Sequence, residues 1–168
     1  MDEILTARLR LRRARPDDLD DIHAALSDPQ ATRYWSTPPH GSITQSRAWL
    51  ENMIAATDDK SDDFVVELQG RVIGKAGFYR LPEIGYLLHP NWWGQGLGRE
   101  AVGAVIARVW RRFDLPRITA DVDPRNVASL RLLKSFGFVE TGFAARTFLR
   151  DEEWCDSLYL AMERPPDA

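Results

Sequence analysis

Three glycines, Gly94, Gly96 and Gly98, alternate with other residues directly after an apolar segment and directly before a helical one. Glycine lets a backbone bend sharply and approach a ligand closely. The helical segment from Arg99 to Phe113 would begin without serine, threonine, aspartate or asparagine as a cap, so its first N–H groups would lack a side-chain partner. Such groups, at the positive end of a helix dipole, bind phosphate. The turn therefore predicts a site for the phosphate or pyrophosphate of a cofactor.

Other readings of this turn fit the sequence less well. A Walker loop requires Gly-Lys-Ser/Thr, which does not follow the glycines. A dinucleotide-binding turn needs a small residue where this chain has Arg99, and the connection from His89 to Trp93 is long for so tight a turn. An alternative also stays open, in which the glycines only form a turn between the two elements and bind no ligand. A simple turn does not require three alternating glycines before an uncapped helix.

Size and composition limit the classes of protein to consider. A chain of 168 residues supports one sizeable core, so we expect a single domain over residues 1–168 with its core at about 7–163. The net charge of -3 gives no field for nucleic acid, and the single Cys155 excludes an internal disulfide. The chain shows neither a signal peptide nor an apolar run near the ~20 residues that span a bilayer. We therefore expect a cytoplasmic protein with no nucleic-acid or membrane partner.

Hydrophobic periodicity predicts the order β-α-α-β-β-β-α-β-α-β-β. Strands 84–89 and 117–122 flank a helix, so they should run parallel with a right-handed crossover, whereas short turns make the other neighbours antiparallel. This predicts an α+β fold: a mixed, mostly antiparallel sheet with one parallel βαβ unit and helices on both faces. A further strand is expected over 7–15, where Arg8, Arg10, Arg12, Arg13 and Arg15 should fall mostly on one solvated face.

Four stretches, in order along the chain, share the motifs of one protein family. They are Thr6-Ala-Arg8-Leu9-Arg10-Leu11-Arg12, Trp92-Trp93-Gly94-Gln95-Gly96-Leu97-Gly98-Arg99-Glu100-Ala101, the segment 123–138 with Asn126, Ser129, Lys134 and Gly137, and Trp154-x-Asp156-x-x-Tyr159. In these motifs the chain resembles the GCN5-related N-acetyltransferase (GNAT) superfamily, most closely its RimJ/RimL-type branch. The resemblance covers nearly the whole chain and implies the GNAT fold, with acetyl-CoA as the cofactor.

The resemblance also implies how coenzyme A would be held. Backbone N–H groups of the turn would bind the pyrophosphate, and an N–H of Leu87 or Leu88 would bind the thioester oxygen. Asn126 would bond the pantetheine arm, cap its own helix, or both. Strands 84–89 and 117–122 would have to splay to admit that arm, with a bulge in the first. The cofactor residues expected are Leu87, Leu88, His89, Gly94, Gln95, Gly96, Leu97, Gly98, Arg99, Asn126, Ser129 and Lys134.

Two positions depart from the superfamily pattern. Three residues before Gly96 the superfamily often has Arg or Gln, where this chain has Trp93, so backbone N–H groups would carry the pyrophosphate. At Leu133 the superfamily often has a tyrosine that donates a proton to the departing thiolate. Ser129 lies on the same helical face and is the best remaining donor, with a small packing residue as the alternative. The absent tyrosine keeps open a non-catalytic CoA-binding sensor.

The implied reaction is direct attack of a primary amine on the acetyl thioester, helped by a general base. Glu83, at the start of the strand that would hold the thioester, is our first candidate, and a surface carboxylate in a turn is the alternative reading. Glu152 and Asp156, near the C-terminal strands, are rival bases. Catalytic roles are thus assigned to Glu83 and Ser129, and no metal is expected.

The acceptor is named by branch resemblance alone. We expect an N-acetyltransferase, active as a monomer or homodimer, that prefers the N-terminal α-amine of a protein or peptide. A small-molecule amine, such as a polyamine, drug or amino acid, is the alternative acceptor. The acceptor pocket is expected at Tyr34, Trp35, Glu83, Trp154 and Asp156, with Tyr159 as a further wall, whereas Trp49 and Trp110 are expected in the core.

Overall fold

The computed structural model describes residues 3–56 and 59–166, which build an eight-stranded sheet with helices on both faces. The strands are Glu3–Leu5 (β1), Arg10–Arg12 (β2), Asp62–Leu68 (β3), Arg71–Arg80 (β4), Glu83–Leu88 (β5), Arg117–Val122 (β6), Val139–Arg150 (β7) and Glu153–Glu163 (β8). The helices are Leu19–Leu26 (α1), Ile43–Ala55 (α2), Leu97–Arg112 (α3) and Val127–Ser135 (α4). Strand order is β1-β2-β3-β4-β5-β6-β8-β7, and among the described residues only β5 and β6 pair in parallel. The predicted α+β class is confirmed.

The sheet differs from the sequence-based expectation at both of its ends. The strand expected over 7–15 covers only Arg10–Arg12, because the Thr6 N–H donates to the Leu9 carbonyl at 3.0 Å and closes a turn. The turn lets the residues before it, Glu3–Leu5, pair with β2 as an additional strand, β1. At the other end, β7 and β8 extend through residues expected to form a loop, and Asp151 turns between them with a φ of 54°.

Local sequence chemistry accounts for features of the helices, although α3 begins at Leu97, two residues before the Arg99 expected from the sequence. In α1 the apolar residues Leu19, Ile22 and Leu26 repeat at helical spacing and are all buried. The Asn126 side chain accepts the Ser129 N–H at 3.2 Å, so the predicted cap of α4 is confirmed. Among the described residues, no helix combines the length and the apolar character needed to cross a bilayer.

The apolar core lies on both faces of the sheet. Phe64 and Val66 of β3 pack with α3 on one face, and Val65 between them packs with α1 and α2 on the other, as strand alternation requires. We call the apolar residues that pack against α3, among them Phe64, Val66, Trp110 and Leu133, the α3 cluster. Trp110 is buried in it, which confirms its predicted place in the core. Trp49 is only partly buried, against the α1–α2 cluster.

The basic N-terminal strand is not uniformly solvated. Arg12 is only 8% exposed, and its guanidinium bonds both carboxylate oxygens of Asp18 at 2.8 and 2.9 Å. It also donates to Glu67 at 2.6 Å. The prediction of a shared solvated face is therefore wrong for Arg12, because two nearby carboxylates neutralise the guanidinium below the surface.

The parallel strands β5 and β6 separate soon after they meet. Within the described residues their one register pair is Glu83 with Thr119, supported by the Thr119 N–H donating to the Pro82 carbonyl at 3.0 Å. Beyond that point β5 continues without pairing to β6, as the predicted splay requires. The irregularity beside the gap is a register shift at Gly77–Arg80, so the extra residue lies on β4 rather than on β5, where a bulge was expected.

Candidate active site

The glycine turn leads directly into α3. Gly94 and Gly96 have φ values of 72° and 75°, left-handed backbone that glycine adopts without strain. Gly96 immediately precedes the helix, and within the described chain no side chain caps the first N–H groups of α3. These groups also lack intrahelical partners and lie at the positive end of the helix dipole. The geometry therefore suits an anionic group, as the sequence predicts.

Two side chains fix the path of the turn. The Arg8 guanidinium pairs with Glu100 at 2.7 Å and donates to the Gln95 carbonyl at 2.8 Å. The Trp93 indole N–H donates to the Leu88 carbonyl at 2.9 Å. Trp93, which replaces the Arg or Gln often found in the superfamily, thus ties the turn to the end of β5. These contacts organise the turn before any ligand binds.

A cavity of about 590 Å³ opens between the glycine turn, the end of β5 and the start of α4. We call it the cofactor cavity. The expected cofactor residues that line it are Leu87, Leu88, Gly94, Gly96, Leu97, Gly98, Asn126 and Ser129. Other lining residues, not singled out as cofactor residues from the sequence, include Gln30, Ala31, Arg33, Tyr86, Trp92, Ala128 and Leu132. Uncapped helix N–H groups at one end and apolar walls along the gap fit the pyrophosphate and pantetheine arm of coenzyme A.

The other expected cofactor residues lie outside this lining and have partners of their own. Lys134 pairs with Glu140 at 2.6 Å, and the Arg99 guanidinium donates to the Ser135 hydroxyl at 2.5 Å. His89 accepts a backbone N–H within its own turn. Gln95 contributes its carbonyl to the turn contact described above. Contact of these side chains with coenzyme A remains a prediction.

A second cavity, of about 660 Å³, adjoins the first. We call it the acceptor cavity, and Tyr34 and Trp35 line both cavities. Among the residues expected from the sequence, Glu83 and Tyr159 also line it. Its other lining residues are Ser36, Thr37, Trp49, Asn52, Met53, Asp63, Lys75, Tyr79, Arg80, Ile84, Gly85, Asp121, Asp123, Thr147 and Phe148. The two cavities thus meet at an aromatic pair, which is the arrangement that a reaction between two substrates requires.

Glu83 has an electrostatic partner in this cavity that the sequence analysis missed. Glu83 is exposed as a whole, but partial burial of its carboxylate raises its pKa, the negative charge of Asp121 on the neighbouring strand raises it further, and Arg80 partly offsets both effects. Burial also raises the pKa of Asp121, partly offset by its hydrogen bond with Ser157. A carboxylate with a raised pKa is a better general base near neutral pH.

Across residues 3–56 and 59–166, no group of three or more His, Cys, Asp or Glu side chains could hold a metal ion.

A buried ion pair forms another part of the acceptor cavity. Lys75 Nζ lies 2.8 Å from Asp63 Oδ2, and the two side chains are only 4% and 3% exposed. Burial raises the pKa of Asp63, and the charge of Lys75 partly offsets this. A Cβ at Gly85 would lie 4.0 Å from both Lys75 Nζ and the Trp35 ring, so glycine leaves open space between them. No sequence pattern marks this pair, because its members lie on different strands.

Trp154 and Asp156 lie elsewhere, together with a residue of β7. The Asp156 carboxylate accepts the Arg146 backbone N–H at 2.8 Å, and the Arg146 guanidinium lies 5.1 Å from the Trp154 ring centroid. Neither residue is part of the described lining of either cavity, and neither is Glu152, which lies in the β7–β8 turn. Of the three candidate bases, the structure brings only Glu83 into the acceptor cavity.

Ser129 meets a tyrosine that the sequence analysis also missed. The Tyr86 and Ser129 hydroxyl oxygens lie 2.6 Å apart, and both residues line the cofactor cavity. Burial raises the pKa of Tyr86 to about 12, although the hydrogen bond with Ser129 acts in the opposite direction. Leu133, where the superfamily often has its tyrosine, is 1% exposed and packs in the α3 cluster. Strand alternation was the signal available, because it places Tyr86 on the same face as Ile84.

Comparison with known proteins agrees with this geometry. A family model for the acetyltransferase (GNAT) domain matches residues 8–139. The uncharacterized N-acetyltransferase p20 of Bacillus licheniformis is 34% identical over 166 residues, covering 91% of this chain and 88% of p20. The structure of RimL, a ribosomal L7/L12 alpha-N-protein acetyltransferase, in complex with coenzyme A has a TM-score of 0.83 at 20% identity, covering 95% of this chain and 96% of RimL.

A second structural neighbour acts on a small amine. The spermidine N-acetyltransferase of Vibrio cholerae, solved with CoA and spermine, has a TM-score of 0.81 at 22% identity, covering 95% of this chain and 97% of that protein. At these identities both structures establish the fold alone. The match of the family model over most of the chain carries the assignment. The chain therefore belongs to the GNAT acetyltransferases, which transfer the acetyl group of acetyl-CoA to an amine nitrogen.

Proposed function

We propose that this N-acetyltransferase acts on the N-terminal α-amine of a protein or peptide by direct attack on acetyl-CoA. The observation that carries the proposal is the meeting of the two cavities at Tyr34 and Trp35, with the glycine turn in one and Glu83 in the other. A donor and an acceptor could thus be held in contact without an acetylated enzyme. The buried Cys155 has no part in this route.

The cofactor supplies an activated acetyl thioester, and residues of the protein bind the cofactor and orient that thioester. N–H groups at the start of α3 bind the pyrophosphate, and the gap between β5 and β6 receives the pantetheine arm. Asn126 and Ser129 lie along that arm. A backbone N–H of Leu87 or Leu88 donates to the thioester oxygen, where negative charge develops during attack. These roles are supported by the lining of the cofactor cavity.

Glu83 is the proposed general base. It lies four residues before Leu87, a distance of about 13 Å along an extended strand, so the proton would travel through water. The attacking amine must be neutral. At pH 7 about one-seventh of an α-amine with a pKa of ~7.8 is neutral, compared with about one in 2,500 of lysine side chains with a pKa of ~10.4. The need for a neutral nucleophile favours an α-amine acceptor.

The bonds and charges of the proposed reaction balance within the site. The amine nitrogen forms a bond to the thioester carbon, and the carbon–sulfur bond breaks with its electron pair on sulfur. The surplus proton of the nitrogen passes to Glu83. The products are an N-acetylated amine, the thiolate of coenzyme A and protonated Glu83, which releases its proton to solvent before the next cycle.

A small-molecule amine is the second candidate acceptor. Four carboxylates line the acceptor cavity, of which Asp63 pairs with Lys75 and Asp123 with Arg125. Glu83 and Asp121 are left to favour a cationic substrate, and Arg80 offsets part of their charge. The fold similarity to a spermidine N-acetyltransferase is consistent with this alternative. A peptide N-terminus and a polyamine both carry ammonium groups, so charge alone does not separate them.

An acceptor panel tests the proposal. Acetyl-CoA consumption would be measured with a short peptide, with the same peptide blocked at its N-terminus but containing lysine, and with spermidine. We expect the highest kcat/KM for the free N-terminus and almost none for the blocked peptide. Faster turnover of spermidine than of every peptide would establish the small-amine alternative. Equal turnover of free and blocked peptides would exclude α-amine preference.

A further inference from the structure

The hydroxyl groups of Tyr86 and Ser129 form a pair across the cofactor cavity. They lie 2.6 Å apart, a short distance for a hydrogen bond between two hydroxyls. Ser129 is also held through its backbone, since its N–H donates to the Asn126 side chain at 3.2 Å. In the described part of the chain, Tyr86 is the only group that hydrogen-bonds the Ser129 hydroxyl. The direction of the Ser129 O–H therefore depends on Tyr86.

By geometry either hydroxyl could donate, and the Tyr86 hydroxyl also lies 3.5 Å from the Ser129 carbonyl oxygen, so we infer the direction of the 2.6 Å bond from the acidity of the two groups. A phenol is the stronger acid and hence the better donor, and the raised pKa of Tyr86 keeps it protonated at neutral pH. If Tyr86 donates to Ser129 Oγ, the Ser129 proton is left for a third group in the cavity. A donor that is itself hydrogen-bonded in this way is polarised and donates more strongly.

We propose that Tyr86 is a positioning residue, which directs and polarises the Ser129 hydroxyl toward the thioester sulfur. This inference rests on the proposed function and on the role expected for Ser129 from the sequence, that of donor to the departing thiolate. As the carbon–sulfur bond breaks, the electron pair stays on sulfur and the Ser129 O–H donates a hydrogen bond to it. The Tyr86 O–H donates in turn to Ser129 Oγ, and no proton is transferred between groups in this step.

Full proton transfer from Tyr86 to sulfur would be unfavourable. Tyr86 has a pKa of about 12, and a free thiol has a pKa of ~8.5, so transfer is disfavoured by roughly three orders of magnitude. The pair thus stabilises a thiolate by hydrogen bonding rather than by protonating it. In this chain a tyrosine from β5 supports the leaving group in place of the tyrosine absent at Leu133 on α4.

The pKa of the thiol of bound coenzyme A is a direct readout. It can be followed by thiolate absorbance in difference spectra with and without coenzyme A, which cancel the contribution of Cys155. A hydrogen bond to the thiolate should hold this pKa below ~8.5 in the wild type. We expect Ser129→Ala to raise it by about one unit and Tyr86→Phe by about half a unit. Tyr159→Phe, in the acceptor cavity, is the matched control for the thiol pKa.

The double variant separates a positioning role from an independent one. Because Tyr86 acts through Ser129, Tyr86→Phe should have no further effect on the thiol pKa or on kcat in the Ser129→Ala background. In the wild-type background it should lower kcat about three- to tenfold and leave the KM for the amine unchanged. Equal effects in both backgrounds, or no effect in the wild type, would overturn the inference.

A second substitution acts in the opposite direction. Incorporation of 3-fluorotyrosine at position 86 makes the phenol a stronger donor, so the thiol pKa should fall below its wild-type value. A purely structural role of Tyr86 would leave the thiol pKa unchanged. Calorimetry of coenzyme A binding distinguishes a failure of the proposed function from a failure of the Tyr86 inference. If the wild-type protein does not bind coenzyme A, the cofactor site itself is refuted. An unchanged thiol pKa in Ser129→Ala would refute the leaving-group role of Ser129 and the inference with it.

Discussion

Glu83 and Tyr86 lie three residues apart on β5, so their side chains project from opposite faces of the sheet. Glu83 lies in the acceptor cavity, whereas Tyr86 packs beside the α3 cluster and meets Ser129 of α4. A thioester held in the gap next to β5 would receive an amine from the side of Glu83. Its sulfur would depart on the side of Tyr86 and Ser129. Because side chains of β5 alternate between the two faces of the sheet, the proposed base, Glu83, lies on one side of the thioester, and the proposed leaving-group donor, Ser129, lies on the other with Tyr86.

The pyrophosphate site is tested by charge at Gly96. Gly96 has a φ of 75°, a conformation that both Asn and Asp enter more readily than other side chains. Gly96→Asp places a negative charge at the start of α3, so we expect coenzyme A binding to be abolished. Gly96→Asn, nearly identical in shape, should bind far better than Gly96→Asp. Calorimetry measures both affinities, and equal affinities in the two folded variants would contradict the placement of the pyrophosphate.

The base is tested by three isosteric substitutions. Glu83→Gln should lower kcat by ~10²–10⁴-fold, because the amide cannot accept the amine proton, and coenzyme A affinity should stay nearly unchanged. Glu152→Gln and Asp156→Asn serve as matched controls and should retain most of the wild-type kcat. The reverse pattern, with Glu83→Gln active and either control inactive, would assign the base to the C-terminal hairpin.

Asp121 should set the pH at which the base works. Its negative charge helps to raise the pKa of Glu83, and a general base functions only when it is deprotonated. Asp121→Asn removes that charge, so the pKa of Glu83 should fall and the acidic limb of kcat/KM should move to lower pH. Glu152→Gln removes the same charge outside the cavity and should leave the limb in place. A limb that stays fixed in Asp121→Asn would show that Glu83 does not govern it.

Local sequence chemistry predicted the parts of the site that come from one short segment. The glycine turn before an uncapped helix and the Asn126 cap depend on neighbouring residues, and both were confirmed. Tyr86 and Asp121 were missed, because their importance depends on partners that only the folded sheet brings close. Helix α4, packed on the sheet, supplies Ser129 to Tyr86, and the neighbouring strand β8 supplies Ser157 to Asp121.

The positions of Trp154 and Asp156, which were expected to bind the acceptor, have a related explanation. Trp154 and Tyr159 are five residues apart on the continuous strand β8, and an odd separation places side chains on opposite faces. Only Tyr159 lines the acceptor cavity. The segment before Asp156 was expected to be a loop, so alternation was not applied to it. Once β8 extends from residue 153, Trp154 and Asp156 must share the face away from Tyr159.

Arg12 should contribute strongly to stability. Its guanidinium lies between Asp18 and Glu67 and is nearly buried. Arg12→Ala leaves these carboxylates without their shared cation, so we expect a loss of about 3–5 kcal/mol in the free energy of unfolding. Arg71→Ala removes an exposed ion pair with Asp21 and should cost at most about 1 kcal/mol. Denaturant titration measures both, and equal losses would contradict a special role for the buried network.

Ser129→Ala should slow catalysis about ten- to a hundredfold and leave amine affinity unchanged, since a thiol with a pKa of ~8.5 leaves moderately well unaided. Leu133→Tyr, which restores the tyrosine often found in the superfamily, should not rescue this variant. Leu133 is 1% exposed within the α3 cluster, so a larger ring would overpack the core at a cost of about 1–3 kcal/mol. We therefore expect the double variant to have a lower Tm and no gain in kcat. Recovery of the rate would mean that a side chain at position 133 reaches the cofactor cavity, which its burial argues against.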